Sequence, residues 1–111
     1  MAIYSNITID QGSDFSTEIS VTDTEGNAAD MTGYLLTGQI RKTYSSSTAT
    51  NFVCSIVNAA AGLVKIVLSN TTTNAMKAGR YVYDVEAQNG VGGSITRIVE
   101  GQVEITPGVT Q

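Results

Sequence analysis

The chain has 111 residues, 41% of them hydrophobic and only 14% charged, and a formal charge of −4 from six basic and ten acidic side chains. A chain of this length supports one domain, residues 1–111, that buries roughly two thirds of its unfolded surface without covalent staples. The acidic balance argues against nucleic acid as a partner, and the single cysteine, Cys54, leaves no intramolecular disulfide to form.

Ser, Thr, Asn and Gly are abundant, the composition of a strand-and-turn protein. The start, Met1 to Tyr4, lacks the basic segment and apolar run of a leader, and no stretch approaches the ~20 apolar residues of a membrane span. The expected product is soluble, made in the cytoplasm and not exported by a cleaved signal. Its charges are segregated. Asp10, Asp14, Glu18, Asp23, Glu25 and Asp30 precede any basic residue, and Arg41, Lys42, Lys65, Lys77 and Arg80 follow with no acid among them. These charges either meet within the fold, solvate its surface or join neighbouring subunits.

In chain order, Ile3, Ser5, Ile7 and Ile9 alternate along a first short strand, and Gln11-Gly12-Ser13 ends it. Phe15, Thr17, Ile19 and Val21 form one face of a half-buried second strand. Asp23 to Asn27 is a turn, because Gly and Asn tolerate positive φ and Asp bonds its own backbone. A third strand follows, with Tyr34, Leu36, Gly38 and Ile40 on one face and Leu35, Thr37, Gln39 and Arg41 on the other. The polar run from Thr43 to Asn51 carries Tyr44 in a solvent loop.

Phe52, Cys54 and Ile56 then share a face, as do Val64, Ile66 and Leu68 on the next strand. Ser69 or Asn70 is placed to cap one or two helical turns that end at Gly79. After these, Tyr81, Tyr83, Val85 and Ala87 line one side of a long strand expected to be central, and Asn89 to Gly93 is a hairpin loop. The final strand runs to Thr106 before Pro107, with Ile95, Arg97, Val99, Gly101, Val103 and Ile105 on one face. Seven strands at this spacing predict an all-β fold. The expected form is a two-sheet antiparallel sandwich of immunoglobulin-like type, with a Greek-key barrel as the alternative.

Little here suggests chemistry. With no histidine, no tryptophan and one thiol, nucleophilic triads and His or Cys metal clusters have no material. Asp84 and Glu86 lie two apart on a strand and share a face, where solvated carboxylates are the simpler reading than a paired acid and base. The acidic loops at Asp10 to Asp14 and Asp23 to Asn27 lack the twelve-residue calcium spacing and read as turns. No enzyme activity, cofactor or metal is expected. Tyr4 and Tyr44 remain as candidate partner contacts, because tyrosine offers amphipathic area at low entropic cost.

Ala78-Gly79-Arg80-Tyr81-Val82-Tyr83 resembles the E-to-F corner of immunoglobulin-like domains. The resemblance implies that the Tyr81 hydroxyl bonds back to backbone before the corner and that Tyr83 fills a core position. The chain lacks that family's disulfide and core Trp. A wider set of motifs, Thr8 to Gly12, DMTGY at Asp30 to Tyr34, GQIRKTY at Gly38 to Tyr44, AGRYVYDVE at Ala78 to Glu86 and VEGQVEITPGVT at Val99 to Thr110, is similar to small virion structural proteins of tailed bacteriophages. Where that pattern usually has Leu this chain has Met31, a swap that conserves core volume.

That resemblance implies a non-enzymatic virion component assembled in the host cytoplasm. Its expected partners are other virion proteins, the major capsid protein or a tail or baseplate protein, with homo-oligomerisation left open and neither nucleic acid nor membrane involved. A head decoration or cement protein is the first reading. A neck, tail or baseplate accessory and a host-surface or glycan-binding module are the alternatives.

Overall fold

The computed structural model describes residues 3–23, 25–90 and 92–108. Thr24 and Val91, one residue in each of two expected turns, and the termini 1–2 and 109–111 lie outside the described residues. The elements are β1 (Ile3–Tyr4), β2 (Ile7–Asp10), β3 (Phe15–Ser20), β4 (Tyr34–Arg41), β5 (Thr50–Asn58), β6 (Leu63–Leu68), α1 (Asn70–Ala75), β7 (Gly79–Asn89) and β8 (Ile95–Thr106). The all-β fold expected from the alternation is the one observed, and α1 is the single short helix among the described residues. No helix among the described residues is long and apolar enough to cross a membrane.

The strands form one curled path, β1-β8-β7-β4-β5-β6-β3, with β2 also on β8. Its finer form departs from two separate antiparallel sheets in three ways. The described residues make eight strands, not seven, because the first expected strand breaks at Ser5 and Asn6 into β1 and β2. Both halves lie parallel to β8, so the sheet is mixed. Thirdly, Thr50 to Phe52 of β5 pair with β4 and Val53 to Asn58 pair with β6, so a single strand carries the ladder around the corner. No backbone hydrogen bond among the described residues joins β3 to β1 or β2, so the path is open and not a closed barrel.

The corner is built on Phe52. Its ring is buried between Phe15 at 6.4 Å and Tyr83 at 6.0 Å, the latter edge-on. Opposite it in the ladder is Gly38, where an added Cβ would stand 3.0 Å from the Phe52 ring. The core inside the curl takes Ile9, Ile40, Val64, Ile66, Leu68, Val85, Val99, Val103 and Ile105, each at most 2% exposed. Burying a side chain of this size stabilises the fold by about 1.5–3 kcal/mol, so the alternation decides which face turns inward. Met31 is buried with them. As expected, β7 is central, between β8 and β4.

Two local readings change. The helix ends at Ala75, short of Gly79, since Met76 turns to extended backbone (ψ 135°) and buries its side chain in the core. Gly79 instead opens β7 at φ +140°. On β8 a bulge between Val85 and Glu86 pairs Val85 with Val99 but Glu86 with Arg97. Ile98 and Val99 are therefore both buried, and Ile95 and Arg97, expected to share the inner face with Val99, turn outward. One extra residue reverses the facing of everything before it.

The short helix is welded to the β2–β3 turn. Ser69 caps α1 by accepting from the Thr72 N–H, and Asp14 accepts from the Asn70 N–H at 2.7 Å. Thr73 is fully buried. Its hydroxyl donates to the Ser13 carbonyl at 2.8 Å and accepts from the Gly12 N–H at 3.1 Å.

Candidate functional site: the outer face of the central strands

Ladder partners lie on one side of a sheet, so the register defines a surface. Asn51, Gln39, Asp84, Glu100 and Tyr4 are consecutive partners across β5, β4, β7, β8 and β1. Their neighbours along β7 and β8, Tyr83, Val85 and Val99, are buried, which turns this row to solvent. Tyr4 therefore stands at the edge of the outer face, 64% exposed. Tyr44, 80% exposed in the loop after β4, overhangs the same face. Two tyrosines forty residues apart in sequence thus reach one surface, though they do not touch the same depression.

The depression beside Tyr44 is open and about 270 Å³ in volume. It is lined by Gln39, Arg41, Val82, Asp84, Glu86, Arg97 and Glu100. Arg97 lies 3.2 Å from the Asp84 carboxylate and 3.6 Å from that of Glu100. The Arg41 guanidinium donates to the Ser46 carbonyl and, at 3.1 Å, to Gln39, whose amide in turn donates to Asn51. These bonds tie the Tyr44 loop to β4. The face carries two guanidinium groups and three carboxylates, partly cross-linked, in a fixed mixed-charge pattern.

Asp84 and Glu86 do share this face, as the alternation implied, but Asp84 is held by Arg97 in an open depression. Sequence alternation missed Arg97 here, because only the bulge at Ile98 brings it outward. Tyr83 passes beneath the same region and donates to the Ser5 carbonyl at 2.6 Å; burial pushes its phenol up to about 12. A phenol so high does not exchange protons near neutrality. Cys54 is half-buried on the inner face of β5, and burial raises its thiol above the ordinary value. A raised thiol is a poor nucleophile.

The acidic loops have local work. Asp23 accepts from the Glu25 and Asn27 N–H groups, Asp10 from the Thr106 hydroxyl, and Asp14 caps α1. The Thr32 hydroxyl and N–H hold the Asp30 carboxyl below its usual value. Among the described residues no group of three or more His, Cys, Asp or Glu side chains is gathered to hold a metal ion.

The corner feature implied by the immunoglobulin-like resemblance is present. The Tyr81 hydroxyl donates to the Lys77 carbonyl at 2.7 Å, and the Lys42 ammonium sits 4.8 Å from the Tyr81 ring centre.

No family model and no curated protein matches the chain. Among solved structures it is similar to InlP of Listeria monocytogenes, with a TM-score of 0.50 and 14% identity over 95% of this chain. The chain spans 28% of the length of that protein. At this identity the likeness concerns the all-β fold alone.

Proposed function

We propose that this protein is a non-enzymatic virion structural component of a tailed bacteriophage, a head decoration or cement protein that binds the capsid lattice through the outer face of β4, β7, β8 and β1. The observation that carries the contact reading is the placement of Tyr4 and Tyr44, both largely exposed, on one face around the Arg97, Asp84 and Glu100 cluster. Exposed tyrosine beside arginine is the chemistry of protein interfaces. The ordered succession of motifs from Thr8 to Thr110 supports the particle assignment.

In this reading the protein works by shape and repetition. Each face makes a modest contact, and many equivalent copies on a lattice convert weak single sites into stable coverage. The test is sedimentation of purified protein with capsids stripped of accessory proteins, comparing the native chain with Tyr4→Ala and Tyr44→Ala. Saturable binding lost in both variants supports the proposal. Binding only to isolated tails moves the site to the neck or baseplate, and no binding to either particle part refutes it.

A further inference from the structure

The two ends of the strand path face each other across an unclosed seam. β3 is the last strand on one side, and β1 and β2 lie at the other. Between them runs a groove of about 410 Å³, walled by Ile7 and Ile3 on one side and Phe15, Thr17 and Ile19 on the other, with Tyr83 and Val99 at its base. Phe15, Thr17 and Ile19 point inward yet stay only half-buried, and Ile3 is 38% exposed. The core is thus uncovered along one line.

Among the described residues nothing pairs with the β3 backbone on that line. Val21 donates its N–H toward Gly62 on the β6 side, so the alternation of a strand sends the groups of Thr17 and Ile19 to β6 and those of Ser16, Glu18 and Ser20 to the open side. Among the described residues no backbone hydrogen bond reaches these three. A strand laid there would satisfy them and place its own inward side chains in the groove.

The charge pattern selects the occupant. On the outer face Lys65 is the ladder partner of Glu18, and no described residue is paired on the other flank of Glu18. Glu18 is the only charged residue among those described that line the groove. A second copy fits poorly in the register that pairs all three open residues. Pairing β3 with β3 so that Ser16 meets Ser20 on both sides sets Glu18 directly against Glu18, and like charges in that position repel. We propose that the β3 edge accepts an extended strand of a partner protein, with Lys or Arg opposite Glu18 and apolar residues on either side of it filling the seam. This goes beyond the particle assignment and does not depend on it, since it concerns a different surface from the tyrosine face.

The experiment is amide hydrogen exchange on the intact protein with a short capped peptide that alternates threonine with valine or isoleucine and carries lysine at its centre. In the free monomer the Ser16, Glu18 and Ser20 amides exchange faster than those of Thr17 and Ile19. The lysine peptide slows the three by about tenfold or more, and the same peptide with glutamate at its centre does not. Glu18→Lys reverses that preference. Ser16→Pro, which removes an outward donor and no ladder bond, abolishes the slowing. Should Ser16→Pro fail to fold, the Glu18→Lys reversal decides alone. Slow exchange at the three amides without peptide, whether in a monomer or in a sedimenting dimer, overturns the proposal, as does an equal response to both peptides or no response at millimolar peptide.

Discussion

The Tyr83 hydroxyl donates a 2.6 Å hydrogen bond to the carbonyl of Ser5, 78 residues earlier in the chain. That bond ties the break between β1 and β2 to the central strand, beside Tyr4 at the edge of the outer face. Tyr83→Phe keeps the ring and removes the donor. It is expected to cost about 1–2 kcal/mol in denaturant unfolding, because the partly buried Ser5 carbonyl loses its partner.

The same phenol gives a signed pH dependence. Its folded value, about 12, lies above the ordinary 10, so the unfolded chain gives up this proton first. The contribution is complete below pH 10 and is lost as pH rises toward 12. Unfolding curves across that window fall less steeply for Tyr83→Phe than for the native chain.

Ser5 also explains a glycine. A Cβ at Gly101 would stand 2.1 Å from the Ser5 carbonyl oxygen, a backbone atom with little room to yield. Gly101→Ala therefore displaces β1 from β8 or strains the pairing, at about 1–3 kcal/mol. Faster amide exchange at Ser5, whose N–H donates to Glu100, would report the displacement.

Thr73→Val removes a fully buried hydroxyl at nearly constant volume and leaves the Gly12 donor and Ser13 acceptor unpaired. The expected loss is about 1–3 kcal/mol. Tyr81→Phe breaks an exposed bond to Lys77 and should cost no more than about 1 kcal/mol. Thermal melts of the two variants would rank them in that order.

Much of the fold was legible because most of its strands bury one face. Tyr34 to Arg41 and Tyr81 to Ala87 alternate without interruption, and their facing follows from period two alone. Alternation fails where a ladder gains a residue. Nothing in Ile95 to Val99 announces the bulge at Ile98, so alternation alone turns Arg97 inward, whereas it anchors the outer charge cluster. The break at Asn6 was equally hidden, since the Gln102 N–H that its side chain accepts from there lies 96 residues away in sequence. Tyr4 and Tyr44 were recognisable as candidates by residue type, but their common face depends on long-range register. Thr73 carried no signal, because its partners on the Gly12 turn are some sixty residues distant.

The most direct measurement is a cryo-electron microscopy map of the assembled phage particle at side-chain resolution. The account predicts this domain at equivalent lattice positions on the head, with Tyr4 and Tyr44 buried against the capsid protein. A domain confined to the tail tip, or one on the head with both tyrosines turned to solvent, would contradict it.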